Sequence, residues 1–347
     1  MTNLDSKPSV SVVVSKIQWG NNSFLRDHPM VLVDYNTVFC VSRSVDIDDG
    51  FSYYTMLVEI GTHDGIPHID AGYPMSSSQD GMAATRGSLI THDRNFEVYH
   101  LDSSVFGYNG RLVSSSVSSP PDLPHYTKPH LVHRVGPMVP IDGRVLVTGG
   151  VHVKIDSRWT YPEPTIVHRS TQAWLLDPNG SYSASVPAGF PASYPRPSNP
   201  QSSWTSLPDS PVPLWGYYHC VIGDTAHFVR GHVHVTFREG RGWTIETDLP
   251  DMQLTKRVVG PNDTLVVGHY MLMRRETGRE HSSLVAFDVI SGEMEVWGTG
   301  DNDGFQGGVM ISPDTAFVSG NRGDSFFHFP EEMIYPHCSL RWGYSSV

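Results

Sequence analysis

Residues 138–150 read Met138-Val139-Pro140-Ile141-Asp142-Gly143-Arg144-Val145-Leu146-Val147-Thr148-Gly149-Gly150, and this stretch decides the fold. Met138 to Ile141 is an apolar run, Asp142-Gly143 suits the left-handed backbone of a tight turn, and Val145 to Thr148 is a second apolar run. Two such runs joined by Asp-Gly form a β-hairpin. Gly149-Gly150 then ends the second strand.

Outward from this stretch the layout recurs in both directions. Toward the N-terminus it returns as Met82 to Ala84, Arg86-Gly87 and Leu89-Ile90, and as Met30 to Val33, Asp34-Tyr35-Asn36 and Val38 to Val41. Toward the C-terminus it is Tyr217 to Ile222 with Ala226 to Gly231, Arg257 to Val259 with Leu265 to Gly268, and Val309 to Ile311 with Ala316 to Gly320. With Val38, Leu89, Val145, Ala226, Leu265 and Ala316 as equivalents, successive separations are 51, 56, 81, 39 and 51 residues. These centre on the roughly 50 residues of a kelch-length repeat, with one large insertion. A third strand follows the hairpin at Ser170 to Asp177 and Ser283 to Asp288. A fourth carries tryptophan at Ser203 to Leu207, Gly242 to Ile245 and Glu295 to Gly298.

Four strands per unit, repeated radially, make the blade of a propeller. The expected fold is therefore all-β, a six-bladed β-propeller of four-stranded antiparallel blades, with seven blades as the alternative. The blades are expected near 28–75, 80–118, 136–208, 212–250, 255–299 and 304–347, all in one domain spanning 1–347. Gly149-Gly150 after an apolar strand, an aromatic third strand ending at Asp177, and Ser203-Trp204-Thr205-Ser206-Leu207-Pro208 together resemble a kelch repeat. Elsewhere Arg230-Gly231, Gly268-His269 and Gly320-Asn321 stand in place of the glycine pair, and the first two units lack the fourth-strand tryptophan. A WD-type propeller is the nearest competitor, but no Trp-Asp dipeptide recurs at the repeat spacing. The resemblance implies a kelch-like protein–protein interaction scaffold.

Trp297-Gly298 precedes Ala316 by 19 residues, and Trp19-Gly20 precedes Val38 by the same 19. The segment near 11–20 is thus expected to complete the last blade and close the ring, which removes a free sheet edge. Ser339 to Gly343 competes for that position. Trp19, Trp204, Trp243 and Trp297 are expected to pack between blades.

With 24 Lys and Arg against 36 Asp and Glu, the net charge of -12 repels phosphate backbones and anionic membranes. Neither nucleic acid nor a membrane is an expected partner. The opening MTNLDSKPSV has no basic segment followed by an apolar run, and no stretch approaches the roughly 18 apolar residues of a membrane span. Cys40, Cys220 and Cys338 lie far apart without C-x-x-C spacing, as in a reduced, cytoplasmic protein. A monomer with no cofactor is expected.

No G-x-S-x-G elbow, phosphate-binding loop or dinucleotide fingerprint is present, so no catalytic residue is assigned. Ser114 to Ser119 reads as strand end and linker, and His125, His130 and His133 as part of a proline-rich loop. His232 and His234, two apart, would share one face of a strand and begin a metal site. Asp46 and Asp48, and Asp301 and Asp303, have the oxygen-rich look of calcium turns without the full spacing. Arg43, Arg230, Arg274, Arg275 and Arg322 follow second strands, where a central pocket would recruit them. That is the basis of the runner-up, a carbohydrate-active propeller enzyme, although sialidase-type aspartate boxes are absent. The leading reading is a scaffold binding a protein or peptide through two irregular insertions of the third unit, Val151 to Arg169 and Pro178 to Gln201. Their contact residues would be Trp159, Tyr161, Arg169, Phe190, Tyr194 and Arg196, the types that dominate binding hot spots.

Overall fold

The computed structural model describes residues 10–11, 13–16, 30–34, 37–46, 50–63, 66–75, 81–85, 88–92, 96–100, 114–117, 120, 131–154, 165–179, 203–249, 263–276, 282–298, 305–320 and 323–334. The chain begins with β1 (Val10–Ser11) and β2 (Val13–Lys16). One antiparallel sheet is β3 (Met30–Asp34), β4 (Thr37–Asp46), β5 (Gly50–His63) and β6 (Ile66–Met75). The next is β7 (Gly81–Thr85), β8 (Ser88–His92), β9 (Phe96–His100) and β10 (Ser114–Val117). Then come β11 (Leu131–Arg134), β12 (Met138–Ile141), β13 (Arg144–Thr148), β14 (Val151–Lys154), β15 (Thr165–Arg169), β16 (Ala173–Leu176) and β17 (Trp204–Ser206). Of these, β12, β13, β16 and β17 make a four-stranded sheet, while β11, β14 and β15 make a separate three-stranded one.

The fourth unit is β18 (Tyr218–Ile222), β19 (Thr225–Arg230), β20 (Val233–Arg238) and β21 (Gly242–Glu246). The fifth is β22 (Thr264–Val267), β23 (Tyr270–Glu276), β24 (Ser282–Asp288) and β25 (Met294–Gly298). The last is β26 (Phe305–Met310), β27 (Thr315–Gly320) and β28 (Gly323–His328), followed by the short helix α1 (Glu331–Ile334). First strands touch in the order β3, β7, β12, β18, β22, β26 and back to β3. A closed ring of antiparallel sheets is a β-propeller.

The quoted hairpin forms as its residues dictate. Asp142 and Gly143 both take positive φ, 46° and 74°, the geometry that matches the twist of the flanking strands. Val145-Leu146-Val147 is continuously apolar because its sheet is covered on both faces. Val145 and Val147 pack with Ile90, Phe96 and Val98 of the preceding sheet, and Leu146 packs with Phe228 and Val235 of the following one. The fifth unit repeats this: Leu272 faces Ala316 and Phe327, while Met271 and Met273 face Tyr218 and Val229. Alternation along a strand places successive side chains on opposite faces, so face-to-face packing of sheets converts alternation into an unbroken run.

Tryptophans fill the gaps between sheets. Trp204 meets Phe96 edge-on at 4.9 Å between centroids, and Trp297, fully buried, meets Phe329 at 6.1 Å across the last junction. Gly150 allows a second kind of close contact. At φ 68° it lies where a Cβ would run into the Arg134 carbonyl and the Gly136 amide, so β13 can pass into β14 only through glycine.

The N-terminus closes the last sheet from within the segment near 11–20 expected to do so. β2 pairs antiparallel with β28, Val13 opposite His328 and Lys16 opposite Ser325, and supplies the fourth strand of the last sheet. β1 adds to β25 in parallel, Val10 opposite Trp297. Trp19-Gly20 and Ser339 to Gly343 lie outside the described residues.

Other expectations require correction. In the fifth unit Leu265 stands on the first strand, not the second, because Gly268-His269 is the hairpin turn and Tyr270 opens β23. The insertion Val151 to Arg169 is not irregular: its ends form the β14–β15 hairpin. His133 is on β11, paired with β14, rather than in a loop. Ser114 to Val117 is a full fourth strand, not a linker. No helix among the described residues is long and apolar enough to cross a membrane.

Candidate functional site

Two places in the ring gather polar side chains. The first is a central cavity of about 240 Å³ lined by β7, β12, β18, β22 and β26. Methionines Met82, Met138 and Met310 contribute to its wall, with Cys220, His219 and Thr264. Among the described residues that line it there is no carboxylate, arginine or lysine. His219 Nδ1 lies 3.1 Å from the Tyr217 carbonyl and donates to it, which leaves Nε2 as a buried acceptor without a hydrogen-bond partner among the described residues. Burial pushes its pKa down to about 4, so the imidazole is neutral at pH 7. The Thr264 hydroxyl is likewise buried without a partner, and burial raises the Cys220 thiol pKa well above the usual range. This wall holds apolar matter and a few hydrogen-bonding atoms, with neither a thiolate nor an acid–base pair.

The second place is a rim where the third and fourth sheets meet. The Thr171 carbonyl accepts from the Ser210 amide at 2.7 Å and the Ser210 hydroxyl at 3.1 Å, which ties the chain leaving β15 to the loop entering β18. In that loop Leu214 and Tyr217 pack against Ala173, Leu175 and Phe228. Arg169 ends β15 and Arg230 ends β19; both are exposed. The Arg230 guanidinium donates to the Trp215 carbonyl at 3.0 Å. Burial raises the Tyr217 phenol pKa, and the charges of Arg230 and Arg169 both act against that rise. Arg144 and Arg238 pair with Glu239 and Asp224, whereas among the described residues neither Arg169 nor Arg230 has a carboxylate partner.

A buried polar chain lies between the fourth and fifth sheets. His227 Nδ1 and His234 Nε2 are 3.0 Å apart, and His234 Nδ1 is 3.3 Å from Glu246. His234 also meets Phe287 edge-on at 5.1 Å. Burial lowers the His227 pKa to about 4 and also lowers that of His234, with Glu246 opposing the second shift.

Only some of the sequence candidates come together. His232 and His234 do not form a pair: His232 sits in the turn before β20 and donates to the Leu249 carbonyl at 2.9 Å, while His234 is buried against His227. Among the described residues no three metal-ligating side chains are grouped to hold an ion. Asp46 ends β4 opposite Gly50 of β5, and the turn between them lies outside the described residues. Arg43 and Arg275 lie inside β4 and β23, and Arg274 is a buried residue within β23 whose carbonyl accepts from the Tyr218 hydroxyl at 3.1 Å. Arg274 is not among the described residues that line the central cavity. Trp159, Tyr161, Phe190, Tyr194, Arg196, Arg322, Asp48, Asp301 and Asp303 lie outside the described residues. Of the candidates, Arg169 is exposed at the end of β15, and Arg230 is held on the carbonyl of Trp215, which the sequence reading did not single out.

No family model matches the chain, and no curated protein sequence matches it. Among solved structures it is similar to YjhT, with a TM-score of 0.51 at 10% identity over 87% of this chain and 93% of that one. The shared fold is the β-propeller. At that identity the likeness extends to the fold alone. The WD40 β-propeller domain of Doa1 (TM-score 0.40, 10% identity, 93% of this chain and 98% of that one) and YCF48 bound to D1 peptide (0.35, 12%, 94% and 100%) are more remote.

Proposed function

We propose that this chain is a non-catalytic, six-bladed, kelch-like propeller scaffold that holds a protein or peptide partner on the rim of its third and fourth sheets. One observation carries the reading: the third unit bears an additional three-stranded sheet, β11–β14–β15, beyond the four strands of its blade. That sheet presents Ile166, His168 and Arg169 to solvent, and the chain leaving β15 is tied through Thr171 and Ser210 to the loop that carries Trp215, on whose carbonyl Arg230 is held. Arg, Trp and Tyr are the residues on which interfaces concentrate their binding energy, and a rigid sheet loses little entropy when a partner docks. The count of six takes as one blade each of the five four-stranded sheets, the last completed by β2, and the five-stranded sheet in which β1 adds to β22–β25. The kelch-like assignment draws on Gly149-Gly150 and Trp204 in the third unit. A non-catalytic role is consistent with the central cavity, whose described lining residues include no carboxylate or arginine.

A photo-crosslinking residue at Ile166, with Ile290 in the fifth unit as control, tests this in extract of the source cells. Both positions are exposed, at 39% and 78%. A discrete adduct at position 166 and none at 290 is the expected result. Equal labelling at both, or none at 166, contradicts the reading.

A further inference from the structure

The central cavity carries two polar side chains that the packing of the sheets leaves over. His219 on β18 and Thr264 at the start of β22 both line it, on first strands that touch each other. The two residues are only 7% and 8% exposed. The His219 ring is held from two sides: Nδ1 lies 3.1 Å from the Tyr217 carbonyl, and the ring stacks on Phe228 with 6.4 Å between centroids. A carbonyl only accepts, so Nδ1 carries the proton and Nε2 is left as an acceptor. Neither Nε2 nor the Thr264 hydroxyl has a hydrogen-bond partner among the described residues. Buried polar atoms are ordinarily hydrogen-bonded, and one that is not marks the place of a water or a ligand.

Around these two atoms the wall includes Met82, Met138, Leu265 and Met310. Thioethers adapt to the shape of what fills the space and pack well against aromatic rings. At about 240 Å³ the cavity exceeds the roughly 150 Å³ in which a dry apolar cavity holds benzene. An uncharged acceptor and an uncharged hydroxyl compensate a buried polar group but not a full charge, whose burial costs far more.

We propose that the central cavity binds a small, neutral aromatic molecule whose hydroxyl or N–H donates to His219 Nε2, with the Thr264 hydroxyl as a further partner. This site lies on the axis and is independent of the rim to which the scaffold reading assigns the protein partner.

Fluorescence titration of the full chain at pH 7 with 2-naphthol, 2-methoxynaphthalene, naphthalene and 2-naphthoate is the test. The four share one ring system and differ in whether they donate, only accept, do neither or carry charge. Saturable binding of 2-naphthol is expected, tighter than that of the other three by about tenfold or more, since only it satisfies the buried acceptor. His219→Leu should lower 2-naphthol affinity by about the same factor and leave naphthalene little changed, so that the preference for the hydroxyl disappears. Thr264→Val, close in shape, should cause a smaller loss. Should His219→Leu fold poorly, the comparison of 2-naphthol with 2-methoxynaphthalene on the unaltered chain decides. Absence of saturable 2-naphthol binding, equal affinity for 2-methoxynaphthalene, preference for 2-naphthoate, or a folded His219→Leu variant that keeps the preference for the hydroxyl overturns the assignment.

Discussion

At the level of single residues, buried histidines set how the fold responds to acid. His219 and His227 are each pushed to about 4 from an ordinary 6.5 by loss of solvent. The unfolded chain therefore takes up protons first as pH falls, and stability is full above about 6.5 and is lost progressively toward 4. Each site contributes a slope of about 1.4 kcal/mol per pH unit inside that window. Urea midpoints measured from pH 7 to pH 4 should fall, and His219→Gln should flatten the decline by about one proton. A variant with the same slope as the parent shows that His219 titrates normally. Neither histidine announced itself in the sequence, where they are two of 18. What distinguishes them is the neighbouring sheet that excludes water, and that neighbour is set by the ring rather than by adjacent residues.

Strands and hairpins were the most legible level. Asp142-Gly143 between two apolar runs needs nothing beyond local chemistry, and β12–β13 forms where it was read. The fifth unit misled because Val258-Val259, Leu265 to Val267 and Tyr270 to Met273 are three apolar runs in succession, and pattern alone does not say which pair shares a turn. Gly268, with φ 59°, is a turn glycine that was taken for a strand-ending one. The β14–β15 hairpin was missed for another reason: a long connection hides the pairing of its ends, and a shift in register between His152 and Val153 breaks the alternation. At the junction feeding that hairpin, Gly150→Ala adds both a strained φ and a collision with the Arg134 carbonyl. Such strain costs about 1–3 kcal/mol or more. A lower urea midpoint is expected, together with loss of amide protection in β14 and β11. Unchanged protection there means that the extra sheet does not depend on this passage.

For the molecule as a whole, the ring and its N-terminal closure followed from the repeat spacing, while the site did not. Arg169 and Arg230 could be named one at a time as strand-end residues, but the tie from Thr171 to Ser210 and the seat of Arg230 on the Trp215 carbonyl depend on how the third and fourth sheets abut. First strands line the central cavity, whereas Arg274 lies on the second strand β23. A binding role at the rim and an enzymatic role at the axis therefore make opposite claims about where a ligand is felt. Hydrogen–deuterium exchange of the full chain, alone and with the partner captured through position 166, separates them. Protection is predicted at 165–169, 214–217 and the end of β19, with the amides of β7, β12 and β22 unchanged. Protection confined to those inner strands, with the rim unaffected, contradicts the account.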